Sequence, residues 1–277
     1  MKKKWLIIGI LLVSISWIGN YTIFAAKQLP HPLLLKHYYE IPINVDMMSG
    51  TIDFRLSYLV NRNEEIDITG IQFPGADWIR KTSSHNVQIY NHYLLKTMYL
   101  SIDVPLLKED KKMDDWLFKN VTVYLSNGQT KTLPVGEIRI VKAKESELLE
   151  QMAGGGSSDQ TGFNQWEANQ PLKIKDVQIS STKPVDAWLK ISVNGKPLTQ
   201  DIFPVTLAKG KRVQFNYEWS FPGQDANGFH LYQVNAKILG EGENRQPFLR
   251  SMYVQYFPYF TNKEINDVAK QLRGEQQ

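Results

Sequence analysis

Apolar residues alternate with polar ones through most of this chain, but its opening is one unbroken apolar run. From Trp5 to Ala26 no Asp, Glu, Lys or Arg interrupts the sequence, and Lys2, Lys3 and Lys4 stand before it. A helix rising about 1.5 Å per residue spans about 33 Å over that run, enough for a hydrocarbon core of about 30 Å. Residues 1–26 are therefore read as a membrane anchor, lysines on the cytoplasmic side and everything from Lys27 outward. A cleaved signal peptide is the alternative. Cleavage after Ala26 would leave bulky Phe24 at the third position back, and cleavage after Ala25 would leave Ile23. Either way the product is extracytoplasmic.

Residues 27–36, with Pro30 and Pro32, read as a stalk. Alternation then begins. Ile52, Phe54, Leu56 and Tyr58 share one face, and Asp53, Arg55 and Ser57 the other, the pattern of a half-buried strand. Ile66, Ile68 and Ile71 to Phe73 predict another strand, stopped by Pro74-Gly75. Val121, Val123 and Leu125 run into Asn127-Gly128, a hairpin turn in which both residues tolerate positive φ. Residues 130–133 return and 137–141 close a first β-sandwich over 37–143, with 108–115 as a charged loop. Residues 144–152 have helical propensity, and Gly154-Gly155-Gly156-Ser157-Ser158 has the composition of a flexible linker, so a domain boundary is placed at 144–165.

A second sandwich is predicted over 166–260. Leu172 and Ile174 share a face while Val177 and Ile179 have the opposite parity, which places a bulge near Lys175-Asp176. Leu189, Ile191 and Val193 lead into Asn194-Gly195. Val213, Phe215, Tyr217, Trp219 and Phe221 give the cleanest alternation in the chain. Tyr232 to Ile238 and Phe248 to Tyr256 supply further strands. Short strands separated by Gly, Pro and Asn turns make the fold mainly β, with two antiparallel immunoglobulin-like sandwiches behind one N-terminal helix.

Within residues 189–238 the order Val193-Asn194-Gly195-Lys196, Leu207-Ala208-Lys209-Gly210-Lys211, Phe215-Asn216-Tyr217-Glu218-Trp219, Gly228 and Tyr232-Gln233-Val234-Asn235-Ala236 resembles the bacterial adhesion-related, fibronectin type III-like immunoglobulin module. That resemblance implies a sandwich and a binding or spacer role, and carries over no catalytic residue.

Residues 261–277 end the chain with a short amphipathic helix. Thr261 and Glu264 form a capping box, Ile265, Val268, Ala269 and Leu272 fall on one stripe, and Gly274 suits the stop. So short a helix needs a surface to cover, here expected to be the second sandwich, with partner docking as the sharper alternative.

Charge and composition narrow the function classes. The net charge is +4, but setting aside Lys2, Lys3 and Lys4 leaves 29 basic residues against 28 acidic. The outer part therefore has no electrostatic footprint for nucleic acid. Absence of cysteine excludes disulfides, thiolate catalysis and cysteine-ligated zinc. Ser180-Ser181-Thr182-Lys183 matches S-x-x-K of serine enzymes, yet it precedes Pro184 and no S-D-N or K-T-G accompanies it, so a turn is expected. His31, His37, His85, His92 and His230 are scattered without metal-ligand spacing. Asp225-Ala226-Asn227-Gly228 reads as a turn rather than a calcium loop. The sequon Asn120-Val121-Thr122 falls in a predicted strand, and Asp114-Asp115 has no placed partner. No catalytic residue, cofactor or metal is assigned.

Candidate partner-contact residues are Trp78 and Trp166, in loop-like surroundings, and Ile265, Val268 and Leu272 of the terminal stripe. A non-catalytic surface protein for adhesion, wall contact or spacing fits best, its partners being the membrane through residues 5–26 and another envelope protein or wall polymer. An accessory or sensory subunit of a membrane complex is the alternative, and an envelope-polymer hydrolase the third.

Overall fold

The computed structural model describes residues 2–44, 50–63, 66–109, 115–157, 159–223 and 225–275. Ser158 and residues 110–114 of the expected charged loop, with Asp114 of the Asp114-Asp115 pair, lie outside these. The chain is mainly β. The apolar run is a helix, α1 (Lys2–Lys27), whose segment Ile7–Lys27 is long and apolar enough to cross a membrane, at 21 residues and a mean hydropathy of 1.8.

The first sandwich uses β1 (Leu33–Leu34), β2 (His37–Asn44), β3 (Thr51–Asn61), β4 (Ile68–Gln72), β5 (Ile79–Ile89), β6 (Tyr93–Asp103), β7 (Asp115–Leu125) and β8 (Thr130–Ala143), with a short helix α2 (Val104–Glu109). One sheet has the order β1-β3-β6-β5; facing it are β2-β8-β7-β4. Phe54, Leu56 and Tyr58 from one sheet meet Ile41, Val121, Val123, Ile138 and Ile140 from the other, all buried. The alternation in β3 thus sets both its inner face and its outer one.

The second core lies between the sheet β13-β12-β15-β10-β9 and the strands β14, β11, β16 and β17. These are β9 (Leu149–Gly156), β10 (Thr161–Ala168), β11 (Leu172–Ser180), β12 (Leu189–Val193), β13 (Lys196–Pro197), β14 (Val205–Leu207), β15 (Arg212–Trp219), β16 (Leu231–Glu241) and β17 (Pro247–Tyr256). Val213, Phe215, Tyr217 and Trp219 are buried as the alternation requires. The bulge falls at Lys175, where the β11–β16 register shifts between Ile174 and Asp176. The start of β16 pairs in parallel with β2, Leu231 opposite His37 and Gln233 opposite Tyr39. One eight-stranded sheet therefore runs through both sandwiches.

Three expectations are corrected. The glycine-rich stretch is not a linker: Leu149–Gly156 and Thr161–Ala168 form an antiparallel hairpin, and Leu149 and Trp166 enter the second core. Close approach requires a glycine on the facing strand. Gly162 pairs with Tyr217, and a Cβ there would sit 2.2 Å from Cζ and Oη of that ring. The helix expected over 144–152 gives way to β9: Leu149 enters the second core, Leu148 packs against it, and Met152 is exposed. The stalk is likewise absent as a spacer. Leu29, Leu33, Leu34 and Leu35 are buried in the first core, and β1 pairs with β3.

The final helix, α3 (Asn262–Glu275), has the capping box: Thr261 N–H donates to Glu264 Oε2 at 2.7 Å and Glu264 N–H to Thr261 Oγ1 at 3.3 Å. It covers the first sandwich, not the second, and Ile265, Val268, Ala269 and Leu272 join the core that holds Leu29 and Leu59. Lys36 Nζ meets Glu275 Oε2 at 2.8 Å, and Asn91 N–H donates to Asn262 Oδ1 at 2.9 Å. Arg273 donates to the carbonyl oxygens of Ala26 and Lys27, the last of α1, and Tyr93 Oη donates to Lys27 O at 2.7 Å. Orphan carbonyls at the end of a helix are satisfied in this way.

Candidate functional site

The outer face of β3 and β6 is covered by α3 at one end and open at the other. The open end forms one wall of a cleft of about 520 Å³. Arg55 and Ser57 of β3, Thr97 and Tyr99 of β6, and Asn86 and Gln88 of β5 make that wall. Opposite stand Gln151 and Gly154 to Gly156 of β9, Phe163 and Asn164 of β10, and Tyr253 and Gln255 of β17. Phe257, Pro258, Tyr259 and Phe260, which link β17 to α3, close one side. Both sandwiches therefore contribute.

Local bonds hold these groups in place. Ser57 Oγ and Thr97 Oγ1 lie 3.0 Å apart across the β3–β6 register. Gln151 Nε2 donates to Asn164 Oδ1 at 3.0 Å, and Asn164 Nδ2 donates to Tyr253 O at 3.2 Å. Gln255 Nε2 donates to Gln233 Oε1 at 3.0 Å, and Tyr90 Oη to Gln88 Oε1 at 2.9 Å. Among the described residues of the lining Arg55 is the only charged side chain, its guanidinium 3.2 Å from the centre of the Phe257 ring. Burial lowers its pKa from the usual value, opposed by Tyr39 and by Tyr99, which also bonds it. An arginine so placed stays a cation and offers planar donors for a carboxylate or a row of hydroxyls.

A second depression, about 780 Å³, lies beyond the β9–β10 hairpin and includes Ile179, Leu189, Ile191, Leu198 and Tyr217. It belongs to one sandwich and has no comparable buried cation. The cleft between the sandwiches, with an anchored cation and fixed amides, is the better candidate site.

The residues singled out from the sequence lie elsewhere. Trp78 is buried edge-on against Trp116, ring centres 5.8 Å apart, and Trp166 is buried beneath Arg250 at 5.2 Å. Neither ring is on the surface, because each falls where a strand or its approach turns into a core. Ile265, Val268 and Leu272 are buried within the chain itself. Asp225 accepts the N–H of Asn227 at 2.9 Å, as a turn requires, and Lys183 N–H donates to Ser181 Oγ at 3.4 Å in the turn after β11. Among the described residues no three His, Asp or Glu side chains converge as metal ligands. His37 is fully buried and accepts the N–H of Ser57 at 2.9 Å through Nε2. Burial holds its pKa down to about 3, and burial with Lys183 and Lys36 holds that of His230 down to about 4. Sequence reasoning missed Arg55, Gln88, Gln151, Asn164 and Phe257. The one available signal was Phe257-Pro258-Tyr259-Phe260, a dense aromatic run directly after a strand.

No protein-family model matches this chain, and no curated protein does. Solved structures similar to it include a protein of unknown function from Porphyromonas gingivalis W83, at 12% identity over 81% of this chain and 98% of that one, with a TM-score of 0.27. PcdhgB3 EC1-4 is similar at 11% identity over 83% of this chain and 49% of that one, TM-score 0.23. The Enterococcus faecalis MSCRAMM ACE, which binds its ligands by the collagen hug model, is similar at 9% identity over 83% of this chain and 96% of that one, TM-score 0.23. Likenesses at such scores carry no inference about function.

Proposed function

We propose that this chain is a non-catalytic binding protein of the bacterial cell surface, held by α1 as a single-pass anchor with residues 27–277 outside the cytoplasm. The cleft is its binding site, and its partner is another envelope protein or a wall polymer. The cleft carries this reading: two sandwiches bring amides, hydroxyls, rings and one cation to opposite walls. Such groups hold and orient a polar partner. Among the described residues they include no carboxylate or imidazole to act as general acid or base. The adhesion-type resemblance of residues 189–238 supports the same class. Because Arg273 and Tyr93 grip the end of α1, the cleft is carried at a fixed distance from the anchor.

Site-specific photocrosslinking in intact membranes tests the proposal. A photoreactive residue replacing Gln88 or Gln151 is expected to give a discrete adduct with an envelope component. One replacing Lys173, exposed on β11 outside the cleft, is expected to give none. Identical products from all three positions, or none from the two cleft positions, would overturn the reading.

A further inference from the structure

The outer edge of β9 is bare. This strand ends its sheet, bonded to β10 alone, and every residue from Glu150 to Gly156 is exposed. Ser157 N–H donates to Thr161 O at 2.8 Å. By the alternation of an antiparallel pair, Ala153 and Gly155 then bond inward to β10, while Gly154 and Gly156 turn N–H and C=O outward. Exposed edges are normally blunted by lysine, proline, inward charge or a bulge, since an unpaired row of donors and acceptors templates another strand. From Gln151 to Gly156 there is no charged residue and no proline. The register skips at Met152, which leaves Ala153 to Gly156 as a regular open stretch. Its glycines put nothing between the backbone and a neighbour.

This edge borders the cleft, across from Asn86 and Gln88 of β5, which is itself the last strand of its sheet. No ion pair among the described residues includes Arg55. A bare main-chain edge and an anchored cation with no ion-pair partner among the described residues share one cavity. The geometry points to an extended peptide as the occupant, added as a strand to Gly154 and Gly156 and placing a carboxylate on Arg55. Main-chain bonds supply affinity in this mode, and the pocket reads alternate side chains. A saccharide has no use for a row of outward N–H and C=O groups, so the observations favour polypeptide. The inference rests on the cleft being the binding site.

Full-length chain in detergent micelles is screened against a displayed library of random decapeptides with free C termini and, separately, against oligosaccharides of wall-type amino sugars. Peptides are expected to be retained. Gly156→Pro deletes an outward N–H and is expected to weaken the selected peptide about tenfold, the value of one well-placed hydrogen bond. Gly156→Ala keeps that N–H, and its Cβ lies 3.4 Å from Tyr217 Oη, so binding stays within about twofold. Arg55→Gln is expected to weaken peptides that carry a carboxylate and not their neutral counterparts. C-terminal amidation then shows whether that carboxylate is the terminus or a side chain. If Gly156→Pro melts early, alternate N-methylation of the selected peptide makes the same test on the unaltered protein: one parity loses binding and the other keeps it.

Wild-type affinity in Gly156→Pro, or equal binding by both N-methylated parities, overturns strand addition. Retention of oligosaccharides alone, weakened by Gln88→Ala, overturns the peptide and leaves the cleft reading standing. Retention of neither class overturns both.

Discussion

Gly162→Ala separates glycine as a flexible joint from glycine as a contact surface. A Cβ at this position falls 2.2 Å from Cζ and Oη of Tyr217 and 2.7 Å from the carbonyl oxygen of Gly155. Backbone stands on one side and a core ring, 8% exposed, on the other. Relief comes by overpacking strain of about 1–3 kcal/mol, or by withdrawing the ring from the core at about 1.5–3 kcal/mol. Alanine restricts the unfolded chain and returns about 0.4–1 kcal/mol. The net expectation is a loss of about 1–2 kcal/mol, which lowers Tm by about 2–4 °C for each kcal/mol in a chain of this size. Gly155→Ala is the matched control, since its Cβ meets only Phe163 Cε1 at 3.5 Å. That variant should be neutral or gain about 0.4–1 kcal/mol. Thermal unfolding of the full chain in detergent, followed by near-ultraviolet circular dichroism, measures both. Equal melting temperatures for the two variants would refute the argument, because a linker tolerates alanine at either position.

Leu272→Ala should lose about 2–5 kcal/mol, as a leucine 4% exposed in the first core, while Lys270→Ala on the exposed side of α3 stays within about 0.5 kcal/mol. Urea midpoints compare them, and similar values would place α3 off the core. Stability should also fall on acidification. His37 and His230 are held at about 3 and about 4, below the ordinary 6.5, so the folded chain stays neutral at both while the unfolded chain takes up protons. Their contribution is fully present above the unfolded value and is lost as pH falls toward the folded ones. A urea midpoint unchanged between about pH 7.5 and about pH 5 would contradict this, that interval spanning the free imidazole pKa.

Alternation was enough to read β3, β7, β12 and β15, because each has one core face and a side-chain period of two decides which. Composition failed where a residue's reason lay in a distant partner. Gly154 to Gly156 have the content of a linker, and only their pairing with Asn164, Phe163 and Gly162 of β10 shows that they form a strand. The capping box and stripe of α3 were legible. Its docking surface was not, because β16 meets β2 in parallel and returns the chain to the first sandwich. The cleft was hidden for the same reason. Arg55, Gln88, Gln151, Asn164 and Phe257 come from five separate elements or connections, and no local pattern links them.

The first core includes Leu29 near its beginning and closes with Leu231, Ile265, Val268, Ala269 and Leu272. During synthesis, the segment that leaves the ribosome first must therefore wait for residues added more than two hundred positions later. Until residue 272 has emerged, the first core lacks Ile265, Val268, Ala269 and Leu272. An incompletely covered apolar sheet is the state most open to aggregation and to holding factors. Folding of this chain is thus a race between synthesis of its second half and capture of its first.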